Sequence, residues 1–101
     1  MDITFYKSQR RRARTALRNY IVERKSQIEA EFDINLPDKK EIKQMSGSQF
    51  GAWVMAIAHV IFAKRNDDLE NYELIDLLSD FVCCENNVTI AESVNAGIGV
   101  D

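Results

Sequence analysis

Residues 46–66 read SGSQFGAWVMAIAHVIFAKRN. Ser46 is followed three residues later by Gln49, the pattern of a reciprocal N-terminal cap, with Ser48 as the competing cap residue. At 100° per residue, Phe50, Trp53, Val54, Ile57, Val60 and Ile61 fall on one face of a helix. Met55, His59 and Phe62 fall on the opposite face, with alanines between them. Lys64 and Arg65 suit the negative C-terminal end. The spacing predicts a helix over residues 48–65 that is apolar nearly all round. Such a helix lies at the centre of a bundle or in an oligomer interface. It predicts a buried Trp53 and Ile57, and a homodimer face at Met55, His59 and Phe62. The apolar run, residues 50–63, is about fourteen residues long and is interrupted by His59, short of the roughly 20 needed to span a bilayer.

The flanking segments supply the partners for this helix. Upstream, residues 4–32 read as one long helix, with Tyr6, Ala13, Leu17, Tyr20, Ile21, Ile28 and Phe32 in a stripe about 120° wide. DINLPDKK (residues 33–40) ends it: Asn35 suits a turn, and Pro37 biases Leu36 away from helical backbone. Asp38 is placed to cap a short helix over residues 38–45. Downstream, NDDLENYELIDLLSDFVCCENN (residues 66–87) predicts a helix over 68–85, capped by Asp67 or Asp68. Its buried stripe is Leu74, Ile75, Leu78, Phe81 and Val82, and Glu70, Glu73, Asp76 and Asp80 line the other side. In NVTIAESVNAGIGVD (residues 87–101), Thr89 and Glu92 fit a second capping box and Gly97 a helix stop, so a short helix or frayed tail is expected over 89–101. A short β segment at residues 88–90 is the alternative. The expected fold is all-α: one domain over residues 1–101, with three main helices and one or two short ones.

A chain of 101 residues with 46% hydrophobic and 29% charged residues is sized and composed for one modest core. The N-terminus is polar and basic, without the apolar stretch of a secretory signal. Cys83 and Cys84 are adjacent and no other cysteine exists. Neighbouring cysteines rarely bridge, so a disulfide framework is not expected, and a reducing compartment such as the cytoplasm is.

The charge is distributed unevenly. The net value is −3. Residues 1–25 hold eight Lys and Arg against Asp2 and Glu23, a net of +6, whereas the rest carry five basic and fourteen acidic residues, a net of −9. Such asymmetry points to a charged partner or to self-complementarity. Lys7, Arg11, Arg14, Arg18 and Lys25 share one flank of the first helix, a basic stripe about 27 Å long at 1.5 Å rise per residue. Together with Arg10, it is a candidate surface for a protein partner, or for the phosphates of a nucleic acid. Arg10 and Arg24 instead fall within the apolar stripe, where a charge must reach water along its stem or find a partner. Glu73, Asp76 and Asp80 form the natural counterpart, either pairing with the basic stripe or offering a second docking face.

Catalytic chemistry finds little support. His59 is the only histidine, and no Asp or Glu lies three or four residues from it, so no helical metal pair exists. Cys83 and Cys84 have no local cation to favour a thiolate. Cys83 points outward and Cys84 toward the core edge. SGSQFG lacks the lysine and the preceding strand of a phosphate-binding loop. KKEIKQMSGSQFGAWVMAIAHV (residues 39–60) has the order of a helix-turn-helix, but its second helix offers almost no polar side chain to base edges. No catalytic residue, metal or cofactor is expected. The sequence points to a small non-enzymatic interaction protein, of the inhibitor, immunity or phage-regulator kind, that binds a protein through charged helix faces. A nucleic-acid-binding regulator using the Arg-rich helix is the alternative, and no membrane partner is expected.

Overall fold

The computed structural model describes residues 2–64 and 72–96. They form α1 (Ile3–Glu23), α2 (Lys25–Phe32), α3 (Lys39–Gln44), α4 (Gly47–Lys64) and α5 (Tyr72–Asn95), with no strand among the described residues. The chain is an all-α, single-domain fold. Asp2 caps α1, its carboxylate accepting from the Thr4 and Phe5 amides. Ser46 and Gln49 form the expected reciprocal cap on α4: the Gln49 amide donates to Ser46 Oγ at 3.1 Å and the Ser46 amide to Gln49 Oε1 at 2.9 Å. Asp38 stands at the N-cap of α3 but makes no side-chain cap bond.

The longest helix–helix contact is between α1 and α5, and α1 also packs on α2, α3 and α4. Arg14 of α1 meets Glu85 of α5. Four residues further on, Arg18 lies over the Phe50 ring, and that ring meets Phe81, four residues back on α5. The contacts advance along one helix as they retreat along the other, so α1 and α5 run antiparallel. Leu17, Phe50, Phe81, Leu74, Leu78 and Ile42 are fully enclosed where α1, α3, α4 and α5 meet.

Three sequence expectations change. The helix expected over residues 4–32 is two helices, broken at Arg24, whose backbone (φ −115°, ψ 24°) leaves the helical region. Hydrogen bonds run into and out of the break, Arg24 N–H to Tyr20 O and Ile28 N–H to Arg24 O, each at 3.0 Å. The break coincides with the charge in the apolar stripe. The Arg24 guanidinium lies over the Tyr20 ring at 5.0 Å, while Ile28 and Phe32 beyond it enter the core. The turn that ends α2 uses Asp33, in the left-handed region at φ 52°, and not Asn35.

The helix expected to stop at residue 85 continues to Asn95, so neither a separate helix from 89 nor a β segment at 88–90 exists. Cys84, Val88 and Ala91 continue the buried stripe at helical spacing. Thr89, read as a cap, donates its hydroxyl to the Glu85 carbonyl at 3.2 Å inside the helix. The Asp67/Asp68 cap and the Gly97 stop lie outside the described residues, as do Arg65 and Glu70. Finally, Trp53 and Ile57 are half-buried against the rim of the core. Val60, on the same flank of α4, is 40% exposed, so that flank borders solvent.

Candidate functional site

Lys7, Arg10, Arg11, Arg14, Thr15 and Arg18 of α1 and Gly47 of α4 line a groove of about 400 Å³. Helical spacing places these α1 side chains on one flank, and the first turn of α4 closes the groove at Gly47. Five cations therefore share one concavity, but the fold does not treat them alike.

Arg14 and Arg18 form its fixed floor. Arg14 donates from Nε to Glu85 Oε1 at 2.5 Å and from Nη2 to Glu85 Oε2 at 3.0 Å, a two-pronged pair between side chains about one-sixth exposed. This pair rests against Gly47 and Gly51, one turn apart on α4. A Cβ at Gly47 would stand 2.9 Å from Arg14 Nη1, and one at Gly51 3.1 Å from Arg14 Nη2 and 3.3 Å from Glu85 Oε1. The glycines in SGSQFG thus make a notch for an ion pair between two other helices. Arg18 donates from Nη1 to the Lys43 and Met45 carbonyls at 3.2 and 2.8 Å, satisfying acceptors at the C-terminal end of α3. Its guanidinium covers the Phe50 ring at 4.7 Å.

Lys25 also works within the fold, donating to Glu29 Oε1 at 3.1 Å. Glu29 Oε2 accepts the Leu36 amide at 3.0 Å, and this hydrogen bond, with the Lys25 contacts, holds the Glu29 carboxyl below the usual carboxylate range. Lys64 donates to the Phe32 and Asp33 carbonyls, fastening the end of α4 to the end of α2.

Lys7, Arg10 and Arg11 have no ion-pair or hydrogen-bond partner among the described residues. Arg10, expected within the apolar stripe, is half-buried and lines the groove; Lys7 and Arg11 are exposed. The unpaired cations of the groove therefore lie within one helical turn, about 6 Å along the axis, and the groove's free charge does not extend along the whole basic stripe.

The acidic stripe does not meet the basic one. Glu73, Asp76 and Asp80 are exposed and make no ion pair among the described residues. Asp80 shares a shallow groove with Gln9, Arg12, Ala13, Ala16 and Cys84, without bonding Arg12. The self-pairing of the chain runs instead through Glu85, which no stripe contained because it lies toward the buried side of α5. The signal that could have found it is the pair of glycines at i and i+4 on α4, which leave room for a charged pair from neighbouring helices.

On α4, Met55 is half-buried against the core, whereas His59 and Phe62 are exposed. Cys83 is exposed and Cys84 buried, as the helical angles indicated. Burial, followed by the nearby Asp80, Cys83 and Glu85 charges, raises the Cys84 thiol above its ordinary range. Among the described residues no three His, Cys, Asp or Glu side chains are placed to share a metal ion, and no helix is long and apolar enough to cross a membrane. No protein-family model matches the chain, and no curated protein or solved structure shows significant similarity to it.

Proposed function

We propose that this protein is a non-enzymatic binding module that docks an acidic surface of a protein partner in the groove along α1. The observation that carries the reading is the convergence of Lys7, Arg10 and Arg11 on one concavity with no carboxylate paired to them among the described residues. Arg14 and Arg18 contribute the rigid floor, already held by the fold. A protein suits this geometry better than a nucleic acid. Three free cations in one turn contact few phosphates, and each further contact is what builds affinity for a polyanion. The exposed Glu73, Asp76 and Asp80, in a chain of net charge −3, add a field that repels a long polyanion while remaining available to a second, basic partner. The two free thiols suit a reducing compartment such as the cytoplasm. The test is capture on the immobilised full chain with and without nuclease. A partner retained after nuclease and lost with K7Q/R10Q/R11Q supports the reading; one lost with nuclease assigns the groove to nucleic acid.

Self-association through α4 is a second interaction favoured by a specific observation. Residues 47–63 contain no charged side chain, yet Ala52, Ala56, His59, Val60 and Phe62 are exposed. An uncharged outer face on a solvent-facing helix suits a second copy of the same face. Light scattering at tens of micromolar should give a dimer mass for the wild type and a monomer mass for Ala56→Glu. A monomeric wild type refutes it.

A further inference from the structure

Resting on the reading of the α1 groove as a protein-docking site, we infer that what the groove recognises on its partner is a phosphorylated side chain, a phosphoserine or phosphothreonine. The argument begins with the charge to be matched. Of the five cations lining the groove, Glu85 cancels one, Arg14, which leaves four positive charges and no carboxylate among the lining residues. One carboxylate brings a single negative charge, whereas a phosphomonoester brings nearly two at neutral pH.

The donors point the same way. A guanidinium carries five N–H donors. Arg14 uses Nε and Nη2 on Glu85, and its Nη1 has no hydrogen bond among the described residues. Arg18 uses Nη1 on two carbonyls, leaving Nη2 and Nε. These spare donors belong to side chains already fixed in place, so little conformational freedom is lost when they bind. Thr15, Lys7, Arg10 and Arg11 line the same groove. Three phosphoryl oxygens can accept from several such directions at once, whereas the two oxygens of a carboxylate leave donors unused. Gly47 is the first residue of α4 and lines the groove, so the positive end of an 18-residue helix adjoins the same space. Fixed arginines, unpaired cations and a helix N-terminus together make the arrangement by which Arg clusters read phosphorylated segments.

The experiment is an NMR titration of the full chain at constant ionic strength. Three capped five-residue peptides are used, identical except for a central phosphothreonine, glutamate or threonine between glycines. The expected result is saturable shifts at Lys7, Arg10, Arg11, Thr15 and Gly47 with the phosphopeptide, at least tenfold tighter than with the glutamate peptide and absent with threonine. K7Q/R10Q/R11Q should weaken the phosphopeptide at least tenfold with an unchanged melting curve. Equal affinity for the glutamate and phosphothreonine peptides overturns the phosphoryl assignment and leaves the acidic-partner reading standing. No shift in the groove with any peptide overturns both. A twenty-nucleotide single strand that binds more tightly than the phosphopeptide, with shifts at the same residues, assigns the groove to nucleic acid and overturns both as well.

Discussion

Replacing Arg14 and Glu85 singly and together tests whether the arginine-rich segment builds the fold or only decorates it. The pair joins α1 to α5, makes two charged hydrogen bonds, and is about five-sixths shielded from water on both sides. An exposed ion pair would contribute about 0.2–1 kcal/mol. A fully buried one broken on one side would cost about 3–5 kcal/mol, because the remaining charge is stranded. This pair lies between those limits, and hydrogen bonds to charged groups contribute about 1.5–3 kcal/mol. Arg14→Ala and Glu85→Ala should therefore each cost about 2 kcal/mol, lowering the midpoint by roughly 10 °C for a domain of this size. The double variant should cost little more than either single one, giving a coupling energy of about 1.5 kcal/mol. Urea unfolding followed by circular dichroism at fixed salt measures all three. Arg14→Ala combined with Asp76→Ala is the control and should be additive, since Asp76 makes no bond to α1. A coupling below about 0.5 kcal/mol for Arg14 with Glu85, or an equal coupling with Asp76, would refute the assignment of Arg14 to the interior of the fold.

Three further outcomes follow from the same contacts. Phe50 is fully enclosed and Trp53 is not, so Phe50→Ala should cost about 3–5 kcal/mol and Trp53→Ala distinctly less; urea midpoints that reverse this order would contradict the core described above. The Glu29 carboxyl is held below its ordinary range by the Leu36 amide and Lys25, so its stabilising contribution is full above the unfolded-state value and is lost as pH falls through the lowered native one; Glu29→Gln should flatten the acid limb of the stability–pH curve, and an unaltered limb would count against the bond. Cys83 is exposed whereas Cys84 is buried with a raised thiol, so a thiol reagent at pH 8 should modify one cysteine promptly and the second only on unfolding, as mass spectrometry would show.

The parts of this fold that could be read from the sequence are those decided by local pattern. The Ser46–Gln49 cap, the break after α2 and the start of α4 depend on a few adjacent residues, and apolar spacing places α1, α4 and most of α5. What could not be read is decided by contacts between distant segments. Thr89 and Glu92 have the spacing of a cap, but Val88 and Ala91 bury enough surface to keep α5 continuous, and packing overrides the local signal. The same holds for the basic stripe. Helical angle puts Lys7, Arg11, Arg14, Arg18 and Lys25 on one flank, and that alignment is real. It cannot distinguish an arginine that faces a groove from one that ends on a carboxylate 71 residues away. The difference lies in Gly47 and Gly51: a side chain at Gly47 would press on the Arg14 guanidinium, and one at Gly51 would crowd both Arg14 and Glu85. The candidate site is what remains of the stripe once the fold has taken Arg14, Arg18 and Lys25. The arginines that serve structure are also the ones that fix the floor on which the free cations converge. A change to that floor, such as Gly47→Val, should therefore weaken partner binding through the position of Arg14, even though no free cation has been removed.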